Sequence, residues 1–187
     1  MLEAAGFETW LVNARVVRHL TGRPKTDRLD ALPGTDNGGM ANGVIRCGSC
    51  GQANRVPAAA AGTPRCGKCH QPLPWIADAD DATFSEVAEA ARIPVIVDLW
   101  APWCGPCRMV SPALEQLARD LAGQVKLVKV NVDTSPRISQ RFGAQAIPTL
   151  LVLRRGRVAA RKTGAAPLAA LRTWVDNALS GAAGDPP

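Results

Sequence analysis

Residues 100–107 read Trp100-Ala101-Pro102-Trp103-Cys104-Gly105-Pro106-Cys107, and the two cysteines are placed for sulfur chemistry. They follow an apolar run, Val95-Ile96-Val97-Asp98-Leu99, and precede a helical pattern. The pair therefore sits where a buried strand turns into a helix. A helix N-terminus offers free N–H groups and a partial positive charge, which favour thiolate over thiol. Thiolate is the nucleophile of disulfide exchange. Cys104, nearer the helix start and behind Trp103, is expected to be the exposed, attacking sulfur. Cys107, one turn into the helix, is expected to be the buried resolving thiol. Asp98 is a carboxylate in a strand that is otherwise apolar. Buried, its proton affinity rises and it can accept the Cys107 proton; at a strand edge it is only a solvated acid.

The other four cysteines form two more Cys-x-x-Cys pairs. Cys47 and Cys50 are separated from Cys66 and Cys69 by 15 residues, the spacing of a two-knuckle zinc site. Four thiolates give the closed tetrahedron that zinc accepts, with no open position for catalysis. Gly48, Gly51 and Gly67 suit the turns, and Arg46, Arg65 and Lys68 offset the cluster's negative charge. Disulfides or an iron site are the alternatives. His70, beside Cys69, reads as a solvated neighbour. One structural zinc is expected, and no organic cofactor.

The elements that must position these groups can be read from pattern. Residues 75–77 suggest a first strand. Thr83-Phe84-Ser85-Glu86 has a capping-box pattern for a helix reaching about Arg92, closed before Pro94. Residues 95–100 have the look of a strand buried on both faces. Val110, Ala113, Leu114, Leu117 and Leu121 recur at helical spacing after Cys107, with Pro112 inside as a kink. Residues 125–132 read as a second central strand and 136–142 as a short helix. Residues 149–153 and 157–162 flank Arg155-Gly156 as a hairpin. Leu168, Leu171, Val175 and Leu179 mark a last amphipathic helix. Strands alternating with helices and ending in a hairpin give an α/β fold, a mixed sheet with helices on both faces.

At Trp103-Cys104-Gly105-Pro106-Cys107 the chain resembles the thioredoxin family. Asp98, six positions before Cys104, Ile147-Pro148-Thr149, Gly156 and Gly164 agree with that family's pattern. The likeness covers roughly residues 75–180. Pro102 departs from it, standing where many members carry an acidic or polar residue. The resemblance implies the thioredoxin fold, with Cys104, Cys107 and Asp98 catalytic. It implies a cis bond before Pro148, beside which a substrate chain pairs in strand fashion. Trp103, Gly105, Pro106, Ile147 and Pro148 then bind substrate. Lys129 tunes Asp98 electrostatically or is simply solvated. Together with the cysteine-rich segment, the likeness extends to the bacterial thioredoxin 2 subgroup, which carries an N-terminal zinc ribbon. Implied partners are disulfide-containing substrate proteins and a flavoprotein reductase of the thioredoxin reductase type.

The chain has 187 residues and a formal charge of +6. Residues 40–77 carry four basic groups and no acid, but no aromatic side chains interleave with them, which argues against nucleic acid. No apolar run approaches the ~20 residues of a membrane span, and no secretory pattern opens the chain. A cytoplasmic monomer is expected. Residues 11–31 resemble a fragment of an insertion-sequence transposase, whose metal-site carboxylates Asp27 and Asp30 would echo without the rest of the site. The expected division is an unstructured or foreign extension at 1–39, a zinc ribbon at 40–74, the thioredoxin domain at 75–181 and a flexible tail at 182–187. The leading function is reduction of protein disulfides through Cys104 and Cys107. The alternative is a zinc-switched redox sensor or holdase chaperone.

Overall fold

The computed structural model describes residues 11–12, 43–60 and 62–181. Its main body is a five-stranded mixed sheet built from β5 (Trp75–Ala79), β6 (Val95–Trp100), β7 (Lys126–Asn131), β8 (Thr149–Arg154) and β9 (Arg157–Thr163). The spatial order is β5-β7-β6-β8-β9. The first three strands are mutually parallel, and β8 and β9 join antiparallel. β6 and β7 lie inside the sheet, so they are apolar on both faces, as their sequences require.

Each face carries its own cover. Helices α1 (Gly105–Asp120) and α3 (Leu168–Ser180) pack Val110, Leu114, Leu117, Leu171 and Val175 on Ile96, Leu127, Leu150 and Val152. The opposite face packs Val97, Leu99, Val128 and Leu151 beneath Phe84, Val87 and Ile138, the last from the short helix α2 (Pro136–Arg141). The mixed sheet with helices on both faces is the expected one, and Pro112 sits within a continuous α1.

One helix differs from its reading. The segment before β6 is a single π-helical turn, Ser85–Glu89, not a helix reaching Arg92. Its start is fixed three residues upstream of the expected cap. Asp80 Oδ1 accepts from the Thr83 N–H at 2.9 Å, and the Asp80 N–H donates to Thr83 Oγ1 at 3.0 Å. The reciprocal box is thus Asp80–Thr83. The β8–β9 turn has Arg155 and Gly156 both at positive φ, 51° and 75°, the two-residue geometry that matches strand twist.

Ahead of the sheet, β2 (Val44–Arg46) and β3 (Ala53–Arg55) form an antiparallel ribbon, and β4 (Arg65–Cys66) pairs in parallel with β1 (Leu11–Val12). The remainder of the expected 1–39 extension, with Asp27 and Asp30, and the expected tail at 182–187 lie outside the described residues. The ribbon does not hang free. Ile45, Val56, Leu73, Trp75 and Ile93 pack with the cage cysteines as one cluster. Trp75 Nε1 donates to Pro57 O at 2.8 Å, and the buried Lys126 donates to Ala58 O and Val87 O while its ammonium lies 4.2 Å from the Trp75 ring centroid.

Candidate active site and cysteine cage

The dithiol owes its position to the end of β6. Leaving the sheet at Trp100, the chain buries Ala101 and turns, with the Cys104 N–H donating to Ala101 O at 3.1 Å. Cys104 is then the N-cap of α1. Its sulfur accepts the Cys107 backbone N–H at 3.1 Å. A capping oxygen ordinarily takes that orphan donor. Here a sulfur does, and the same N–H, with the helix dipole behind it, favours negative charge on Cys104. Cys104 and Cys107 form a disulfide with Cα atoms 5.3 Å apart. Cys107 is wholly buried, as expected. Cys104 is only 4% exposed, so its accessibility is much smaller than expected: Ala101, Val132 and Ile147 close around the pair.

The antiparallel register Leu99↔Thr149 sets the start of β8 against the end of β6. It brings the Ile147–Pro148 bond, which is cis, alongside the dithiol. Ile147 O lies 3.7 Å from Cys104 Sγ. Ile147 is half-buried and Pro148 buried, while Gly105 is half-buried and Pro106 exposed. Trp103 is 67% exposed, so this flank of the dithiol presents a large apolar ring to solvent.

Asp133 escaped the sequence reading. Trp103 Nε1 donates to its Oδ2 at 3.0 Å, pinning the indole on the rim. The clue was topological: β7 is parallel to β6, so the loop after β7 must open beside the loop after β6.

Asp98 lies deep in the sheet. Both carboxylate oxygens are buried and neither has a hydrogen-bond partner among the described residues. Burial, opposed by Lys129 and reinforced by Glu115, pushes its pKa up to about 7. The solvated-edge alternative is excluded by this burial. An acid that gains and loses a proton near neutrality, on the sheet face that α1 covers, is suited to proton transfer.

The second cluster brings Cys47, Cys50, Cys66 and Cys69 together, with all four sulfurs within 4.8 Å of one another. Cys47 and Cys69 sulfurs are 3.5 Å apart, and those of Cys50 and Cys66 3.6 Å. A tetrahedral site with ~2.3 Å metal–sulfur bonds has edges of about 3.8 Å, so the donor set fits a zinc ion. The two knuckles are built alike. Cys47 N–H donates to Gln52 O and Gly51 N–H to Cys47 O; Cys66 N–H donates to Gln71 O and His70 N–H to Cys66 O. Of the three glycines expected to make the turns, only Gly51 takes positive φ, and its counterpart in the second knuckle is His70 at 58°. Backbone rather than basic side chains touches the sulfurs. The Cys69 and Lys68 amides hold the Cys66 thiol down to about 6 despite burial. Cys69, though favoured by the Gln71 amide, is pushed up to about 12 by burial and its three sulfur neighbours. Four thiolates cannot crowd together without a cation. Buried Asn54, also missed from sequence, accepts the Gly67 N–H at 3.0 Å and points its amide at Cys66 Sγ.

The two clusters lie at opposite ends of the sheet. Trp75, Lys126 and Val95 are register neighbours at the ribbon end, and Trp100 leads to the dithiol at the other. The intervening length of β6 is roughly 17 Å.

The model of the thioredoxin family matches residues 75–177. A thioredoxin of Haemophilus influenzae is 44% identical over 97 residues, covering 52% of this chain and 91% of that protein. One from Rhodospirillum rubrum is 46% identical over 96 residues, covering 51% and 92%. Thioredoxin C-3 of Corynebacterium nephridii is 38% identical over 140 residues, covering 73% of this chain and 95% of that protein. Only ten residues follow position 177, so this 140-residue likeness must reach upstream of residue 75, into the cysteine-rich segment.

Proposed function

The chain belongs to the thioredoxin family and is a thiol–disulfide oxidoreductase that reduces protein disulfides; on that premise we propose the roles of its residues. Cys104 thiolate attacks one sulfur of a substrate disulfide. A mixed disulfide forms, and the first substrate sulfur leaves as thiolate. Asp98 takes the proton of Cys107, whose thiolate then attacks Cys104 Sγ. The second substrate sulfur leaves, and the Cys104–Cys107 disulfide remains, two electrons having passed to the substrate. The single observation that carries these assignments is the N-cap: the Cys107 N–H donates to Cys104 Sγ, and among the described residues no such donor serves Cys107. The substrate backbone lies along Ile147 and Pro148, with Trp103, Gly105 and Pro106 forming the facing rim.

Insulin reduction tests the assignment. Cys104→Ser is expected to abolish turnover. Cys107→Ser is expected to accumulate a mixed disulfide on Cys104, visible by mass spectrometry. Trapping in the Cys104→Ser protein instead reverses the two roles.

The cage is read as holding one structural zinc on Cys47, Cys50, Cys66 and Cys69, and this ribbon supports placement in the zinc-bearing thioredoxin 2 subgroup. When bound, zinc supplies no redox chemistry; it neutralises four thiolates and cross-links the two knuckles. A cytoplasmic monomer recharged by a flavoprotein reductase completes the reading. Among the described residues no helix is long and apolar enough to cross a membrane. Insulin reduction with and without zinc separates this reading from a zinc-switched sensor or holdase, whose disulfide exchange would depend on the metal.

A further inference from the structure

Asp98, Lys129 and Asp78 stand in one row across three strands. Lys129 is the register neighbour of Asp98 on one side and of Asp78 on the other. Register neighbours share a face, and this face lies under α1, the helix that carries Cys107 in its first turn and Glu115 further on. On the far side of Asp98 its neighbour is Leu150, which does not titrate. Lys129 thus stands between Asp98 and Asp78 in register, with Glu115 of α1 beside it. Lys129 Nζ lies 3.2 Å from Glu115 Oε1 and 5.5 Å from the centre of the Trp100 ring. Among the described residues both Asp98 oxygens are without a hydrogen-bond partner.

We propose that Glu115 is a positioning residue for disulfide exchange: it draws the Lys129 ammonium toward α1 and so leaves Asp98 unpaired and able to carry the Cys107 proton. The proposal rests on the reading of Asp98 as proton acceptor. Its physical basis is competition. An ammonium within about 4–6 Å of a buried acid stabilises the carboxylate and weakens its hold on a proton. An ammonium satisfied elsewhere does so less. Glu115 is about one-third exposed, so water screens part of the effect. Lys129 is far less exposed, at 15%, and its position is what the pair fixes. The direction agrees with the opposing influences of Lys129 and Glu115 on Asp98.

The test follows the Asp98 carboxyl by carbon NMR in the reduced full-length protein, alongside the pH profile of mixed-disulfide resolution. Glu115→Gln is expected to lower the Asp98 midpoint by about half a pH unit or more and to move the resolution profile down by the same amount. Lys129→Met is expected to raise both. With Lys129 already replaced, Glu115→Gln is expected to do little more. An unmoved midpoint in Glu115→Gln overturns the role of Glu115. An equal shift with and without Lys129 also overturns it, because Glu115 then acts by its own field and not by placing the cation. Failure of the underlying reading looks different. If Asp98→Asn leaves the resolution profile unaltered while Glu115→Gln still moves the carboxyl midpoint, Asp98 is no proton acceptor, and the catalytic part of the proposal falls with it.

Discussion

At the scale of single residues, the chain spends stability to keep one acid buried. Asp98 has a folded pKa of about 7, against about 3.9 for an unfolded aspartate. Between those values the native state holds a proton that the unfolded chain has released. Stability therefore falls as pH rises from about 4 to 7, and the full cost is present above 7. Asp98→Asn removes the ionisation. It is expected to stabilise the oxidised protein at pH 8 by on the order of 2–4 kcal/mol, with the difference shrinking toward pH 4. Urea unfolding of both proteins at several pH values checks this; a pH-independent difference refutes the account. Trp103 illustrates the opposite economy, a large ring left in solvent and fixed by one bond to Asp133.

Among elements, the most informative join is between the ribbon and the sheet. The segment from Val56 to Ala60 lies against β7 and the π-helical turn, where Lys126 donates to Ala58 O and Val87 O. Burial depresses the Lys126 pKa to about 8 despite the attraction of Glu86. The ammonium thus remains largely charged at neutral pH and satisfies two carbonyls that apolar surroundings would leave bare. Lys126→Met is expected to cost about 1–3 kcal/mol and to speed amide exchange around residues 56–60. The rate of disulfide reduction should not change, because Lys126 begins β7 and the dithiol lies beyond the other end of that strand. Exchange measured by mass spectrometry, beside insulin turnover, tests both halves. Slowed turnover would mean that this end of the sheet communicates with the dithiol.

The whole molecule has two sulfur sites on one sheet, at opposite ends and with separate supports. The cage cysteines share a cluster with Leu73, Trp75 and Ile93. Replacing Cys47, Cys50, Cys66 and Cys69 by serine is expected to remove stoichiometric zinc and to lower the melting temperature of the entire chain by several degrees, because Trp75 and Ile93 lose their cover. Insulin reduction at temperatures well below melting is expected to stay within about twofold, since α1 and both central strands keep their own cores. Elemental analysis, calorimetry and turnover on the one variant decide each point. Retained zinc places the metal elsewhere, and abolished turnover refutes the independence of the two ends.

The sequence alone determined what depends on local spacing. Two knuckles 15 residues apart define a four-sulfur set, a strand followed at once by Cys-x-x-Cys defines a helix-capping dithiol, and an acid inside an apolar run marks itself for burial. The order of elements followed from the same short-range signals, apart from the Asp80 cap and the π-helical turn. Tertiary structure decided what depends on register between distant segments. Asp133 reaches Trp103 because two parallel strands end side by side, and Lys126 meets Ala58 across 68 positions of chain. Glu115 takes Lys129 from Asp98 only because α1 lies over that row of strands. A side chain's partners across a sheet or beneath a helix are set by strand order and crossing geometry, and periodicity within one segment carries no record of either.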